Sequence, residues 1–306
     1  MSGPARHRVP RLLVRLPLGE DESVVSFMQR HAEGNRAVRM LDLLRLVERI
    51  SGETLKDVRE VAHSRAALQA VEWLTGLEVD ALASRHLVRL QETHLRAGHH
   101  SWLKSLRLST RQAVCPSCLR EAGFARIGWE FVQAPVCPLH GLALLECCPA
   151  CSTPLRHNRT RLHYCAACGA DLRKSPAVNV TAAAIVAARQ VQQPAMVPMG
   201  DANSTAPVDV TDLSRLLRLC VLPGPGRVST YGLTENLSSL SVAARVLALE
   251  RLGGAMVGRR IDSARLRLVI LQRWPGIDRF ADEAVVPLLK GVALAVKLGA
   301  EVTRLL

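Results

Sequence analysis

Four short pairs of metal-binding side chains crowd the stretch 115–168 of this 306-residue chain: Cys115-Pro-Ser-Cys118, Cys137-Pro-Leu-His140, Cys148-Pro-Ala-Cys151 and Cys165-Ala-Ala-Cys168. A C-x-x-C turn lets two side chains converge on one ion. Proline after the first ligand, present in three pairs, fixes φ there, so less chain entropy is lost in forming the turn. Gly141 and Gly169 follow the second and fourth pairs, where a knuckle often turns with positive φ. Eight ligands suffice for two tetrahedral zinc ions. Taken consecutively, Cys115, Cys118, Cys137 and His140 form one set with 18 residues between its pairs, and Cys148, Cys151, Cys165 and Cys168 form the other with 13. Both spacings suit zinc ribbons. An interleaved assignment, with the first and third pairs on one ion, is also geometrically open. A redox C-x-x-C reading competes, but the motifs come four in tandem with no thioredoxin-like βαβ pattern around them. Cys147 starts no C-P-x-C and is expected to be spare, as is Cys220. A catalytic zinc keeps a position for water, whereas these sets fill the tetrahedron, so two structural zinc ions are the expected cofactors.

Composition points to a polyanionic partner. The formal charge is +13, and 35 of the 40 basic residues are arginine, whose planar fork suits phosphate; DNA is the first partner to consider, although a GC-rich genome also enriches arginine. Binding two Zn²⁺ through seven thiolates would lower the charge by three, to about +10. Aromatic residues are 3% of the chain, too few for recognition of single strands mainly by stacking. "MSGPARHRVPRLLVRLPLG" lacks the apolar run of a secretory signal. "AVVPLLKGVALAVKLGA" is interrupted by Pro287, Lys290 and Lys297 and falls short of the roughly 20 apolar residues of a span. A cytoplasmic protein with reduced thiols and no membrane partner is expected.

The hydrophobic pattern gives a mainly α fold with a small β component. Residues 1–110 read as a helical region. "ESVVSFMQRHAE" can start with Asp21 as N-cap, and "AVRMLDLLRLVERI" places Val38, Leu41, Leu44 and Val47 on one face before Gly52 stops it. Two short helices meeting at Gly76 outline a helix-turn-helix, with Arg85, His86 and Arg89 as candidate DNA contacts; a plain helical hairpin fits as well, since Glu72 sits where the crossing wants a small residue. Residues 111–175 read as tandem zinc ribbons, with a strand around Trp129, "LALL" packed between the ribbons, and a hairpin turning at His157 to Thr160. A helix and then a linker beginning after Ala187 occupy 176–208. Residues 209–306 return to helices at Val210 to Leu222, after Ser241 to Gly253-Gly254, and before Pro275. No P-loop, H-E-x-x-H or G-x-S-x-G is present, so no enzyme is expected.

"LPLGEDESVVSFMQRHAEGN", "CPSCLREAGFARIGWEFVQAPVCPLHGLALLECCPACSTPL" and "YCAACGADL" resemble the TniQ/TnsD family of transposon target-selection proteins over about residues 10 to 175, and "LQRWPGIDRF" is similar to a later Trp-Pro segment. Arg36 stands where the family pattern has glycine after Asn35, Cys147-Cys148 is doubled, and the C-terminal region is shorter than in TnsD-type members. The resemblance implies a non-catalytic adaptor that identifies an insertion site and recruits an AAA+ ATPase regulator of the TnsC/TniB kind. Some members bind a DNA site themselves; others dock as dimers on an RNA-guided CRISPR Cascade effector complex. An alternative is a sequence-specific zinc-finger/helix-turn-helix DNA-binding protein that needs no RNA-guided partner.

Overall fold

A computed structural model describes residues 10–82, 111–196, 240–254, 256–257 and 260–261. The described residues are mostly helical, with two small two-stranded sheets. They divide into two compact units. The first holds 10–82, 111–130 and 145–176; the second holds 131–144 and the residues from 177 on. Arg85, His86, Arg89, Cys220, the Val210 to Leu222 helix and the Trp-Pro segment lie outside the described residues.

In the first unit, α1 (Val24–Gly34), α2 (Met40–Ser51) and α3 (Arg65–Thr75) bury Phe27, Met28, Leu44, Val47, Leu68 and Leu74. Helix α1 is capped by Ser23, whose Oγ accepts the Ser26 amide at 3.1 Å, and not by Asp21, which turns away to Arg126. Helix α2 buries Met40, Leu43, Leu44, Val47 and Ile50, while Val38 is 86% and Leu41 40% exposed. The expected face therefore holds at Leu44 and Val47 and fails at Leu41 and at Val38, which precedes the helix. A strict every-third-residue series slips about 60° per step around a 3.6-residue helix, whereas the true face mixes steps of three and four. Gly52 and Gly76 end α2 and α3 at φ 75° and 74°. After Gly76, residues 77–82 are turn rather than helix. The buried Glu72 carboxylate accepts the amides of Asp80 at 3.0 Å and Leu82 at 2.8 Å and so pins that turn.

The metal-binding stretch also departs from its sequence reading. Ile127–Glu130 is a 3₁₀ turn, not a strand, with Trp129 buried in it at 1% exposure. The 153–165 segment is no hairpin. It is held by isolated bridges, Cys147 to Pro154 and Tyr164 to Asp171, and its intended polar tip turns inward, with His157 and Arg159 each 5% exposed. Buried polar partners explain this: the Gln29 amide donates to the His157 carbonyl at 2.9 Å and pairs reciprocally with the Gln112 amide. The short α4 (Pro116–Glu121) carries the first knuckle.

The second unit pairs β1 (Val136–Cys137) with β2 (Leu142–Ala143) and packs α5 (Ala182–Met196) on α6 (Val242–Gly254). Helix α5 runs on through "RQVQQPAM", which composition suggested was linker. Gln, Arg and Ala are good helix formers, and only Pro194, in the last turn, opposes them. Strands Met256–Val257 (β3) and Arg260–Ile261 (β4) form a hairpin with no clear sequence signal. Ala184, Ala187 and Ala188 of α5 are fully buried, and Gly253 of α6 lies so close to Ala183 that a Cβ would run into the Ala183 carbonyl. Backbone cannot yield as a side-chain tip can. Gly253→Ala is expected to cost about 1–3 kcal/mol despite the better helix propensity of alanine; a two-state denaturant titration showing an unchanged or raised midpoint would contradict this crossing.

Candidate metal centres

All four knuckles fold on one local rule. The amide four residues after the first cysteine donates to that cysteine's carbonyl: Leu119 to Cys115 at 3.0 Å, Gly141 to Cys137 at 2.9 Å, Ser152 to Cys148 at 2.8 Å and Gly169 to Cys165 at 3.0 Å. In the first, Cys115 is the N-cap of α4 and Pro116 opens the helix, where its missing N–H is no loss. The other three turn at that fourth residue with positive φ, 62° at Gly141, 58° at Ser152 and 73° at Gly169. Ser152 does what the two glycines do, so a search for glycine alone misses the third turn.

The ligand atoms of Cys115, Cys118, Cys137 and His140 lie within 4.8 Å of one another, and so do those of Cys148, Cys151, Cys165 and Cys168. The grouping is consecutive rather than interleaved. Every cysteine in the two sets is free of disulfide. Cys148 Sγ is 3.6 Å from Cys168 Sγ, Cys151 Sγ is 3.7 Å from Cys165 Sγ, and Cys137 Sγ is 3.5 Å from His140 Nδ1. A tetrahedron with Zn–S bonds of about 2.3 Å and Zn–N of about 2.0 Å has edges of about 3.8 Å and 3.5 Å. Both sets could therefore hold a metal, and the distances and the sulfur-rich donors suit zinc. Cys147 belongs to neither set; it is half-buried, and its backbone bridges to Pro154.

In the second set two of the thiols, Cys151 and Cys168, shift in opposite directions. The Thr153 hydroxyl and then the Thr153 amide favour the Cys151 thiolate and hold it down to about 6. The Ala170 amide favours the Cys168 thiolate as well, yet its neighbouring thiols push Cys168 up to about 12. Thiolates this close repel unless a cation sits among them.

Residues 13–144 match the TniQ family model. The chain carries a TniQ domain. The TniQ match spans helices α1 to α4 and the first metal set, and stops short of the second. A TniQ domain implies a transposition-associated role in target selection. No curated protein matches the chain.

The TniQ domain's opening motif is built as a clasp. Glu22 is fully buried and accepts the Gly19 amide at 3.1 Å, the Ser26 hydroxyl at 2.9 Å and Arg30 at 2.5 Å. Ser26 Oγ in turn accepts the Ala125 amide at 2.9 Å, Ser23 donates its amide to the Ala125 carbonyl, and Ile127 donates to the Asp21 carbonyl. The Asp21 carboxylate pairs with Arg126. Asn35 closes the far end, its amide oxygen accepting from Val14 N–H and its amide nitrogen donating to the Val14 carbonyl. Arg36, where the family pattern has glycine, has φ 55°. The position calls for a left-handed residue, and arginine meets it at a conformational cost that glycine avoids. These polar residues are engaged with backbone and with each other.

No helix among the described residues is long and apolar enough to cross a membrane.

Proposed function

We propose that this chain is a targeting adaptor in transposition with no catalytic step of its own. It holds DNA through the phosphate backbone and presents the chosen site to an AAA+ ATPase regulator, while a partner, such as an RNA-guided Cascade complex, carries the sequence information. The TniQ domain over residues 13–144 is the observation that supports this reading best. The net charge of +13 supports the DNA contact. Two closed zinc sites, Cys115, Cys118, Cys137 and His140 in one and Cys148, Cys151, Cys165 and Cys168 in the other, would hold the binding surfaces in shape and leave no open position for substrate or water.

Salt titration of DNA binding by the purified chain tests the DNA part. If about four phosphates are contacted, affinity should fall about 100-fold between 50 and 200 mM salt, equally for unrelated sequences. Selection of one short sequence over competitor DNA at physiological salt would replace this reading by direct sequence recognition. In that case an Arg85→Ala, Arg89→Ala double variant should lose the selectivity. Co-purification with the AAA+ regulator tests recruitment, and its failure with folded, metal-loaded protein would remove the adaptor role.

A further inference from the structure

We propose that Arg159 is the counter-ion of the second cysteine set, a guanidinium buried beside Cys165 whose charge is balanced by thiolates, so that this set's hold on its metal depends on it. The inference rests on the second set being a metal site. Arg159 is 5% exposed, in the segment between the two knuckles of that set. Its Nη1 donates to the Arg156 carbonyl at 3.3 Å and its Nη2 to the Leu162 carbonyl at 3.2 Å. Carbonyls satisfy N–H groups but bring no negative charge. Among the described residues its hydrogen bonds go to carbonyls and to no carboxylate, and its buried Nε has no hydrogen-bond partner there. Arg159 and Cys165 line the same cavity of about 250 Å³.

Arg126 supplies the contrast. It stands between the first set's two knuckles in the sequence, as Arg159 does in the second, but it is already paired with Asp21. A buried charge without a partner is costly, so one neutralised by nothing but carbonyls is out of place unless an anion stands near. The thiolates of the second set are that anion.

Charge arithmetic says why this set needs help. Three thiolates and a neutral histidine around Zn²⁺ carry −1, whereas four thiolates carry −2; one arginine brings the second set level with the first. Groups behind a metal's ligands tune its affinity by about 10–100-fold.

The test uses the full chain as wild type, Arg159→Met and Arg159→Lys. Zinc stoichiometry is followed against graded chelator, with alkylated cysteines mapped by mass spectrometry in the same samples. In Arg159→Met the second site should weaken 10–100-fold, with Cys148, Cys151, Cys165 and Cys168 modified while Cys115, Cys118 and Cys137 stay protected. Arg159→Lys should stay within a few-fold of wild type. Wild-type affinity in Arg159→Met overturns the proposal, as does equal weakening in the lysine variant or simultaneous exposure of both sets. A wild-type chain that binds one zinc or none would instead defeat the metal reading itself.

Discussion

Cys165→Ser is expected to reduce the chain's metal content from two zinc ions to one and to unfold the segment around residues 145–176. Cys165 is buried, its amide donates to the Ala170 carbonyl at 2.9 Å, and its carbonyl holds the Gly169 turn. Serine can keep those backbone bonds but is a poor zinc ligand at neutral pH. What remains after the metal is gone is little. Between 145 and 176 the described backbone has a single 3₁₀ turn, Leu172–Lys174, and isolated bridges, and its small core rests on Leu155, Leu162 and Leu172. A segment so poor in regular structure cannot offset its ordering entropy by burial alone. Structural zinc supplies about 10–16 kcal/mol of apparent binding free energy in finger-sized folds, comparable with the whole stability of a domain. Metal analysis and thermal unfolding of the variant check this. Two bound zinc ions with an unchanged midpoint would show that Cys165 is no ligand. Cys147→Ser is the matched control and should keep both ions, because its side chain belongs to neither set; equal zinc loss from Cys147→Ser and Cys148→Ser would break the assignment.

The two clusters that could hold a metal were legible in the sequence because such knuckles leave a local mark: each is written in four residues, and proline and glycine punctuate it. Helix ends were legible for the same reason, as Gly52 and Gly76 show. The clasp was not. Glu22 and Ser26 look like ordinary helix-start residues and Arg30 like an ordinary mid-helix one, and what makes them matter is Ala125 and Arg126, about 100 positions away. Glu72 is a similar case. Its side chain looked like an obstacle to a helix crossing, yet as a carboxylate it is the partner that two turn amides need. The turn at His157 read as polar surface because polar residues usually are; here Gln29 and Gln112 meet it inside. Local propensity speaks for strands and helices, but buried polar pairing is decided by distant residues that no short window contains.

That buried clasp yields the second large effect. Glu22→Ala is expected to destabilise the chain by about 3 kcal/mol, the low end of the range for breaking a buried ion pair, because Arg30 keeps 17% of its side chain exposed and can turn to water. The buried Ser26 hydroxyl cannot; it loses its acceptor inside the protein. The pair itself is no simple electrostatic gain. Burial raises the Glu22 pKa above 4.5, and the pull of Arg30 and of its hydrogen bonds only partly offsets that. A carboxyl with a raised folded-state pKa contributes stability that is full below the unfolded value and is lost as pH climbs through the folded one. Wild type should therefore lose ground to Glu22→Gln, which carries no charge, as pH rises from about 4 toward neutrality. Glu22→Gln should still cost less than Glu22→Ala at neutral pH, since an amide keeps one acceptor for the clasp. Denaturant midpoints of the three proteins at pH 4, 6 and 8 decide it: a wild-type minus glutamine difference that is flat or grows with pH would mean that Glu22 is comfortable as an anion and that Arg30, not burial, governs it.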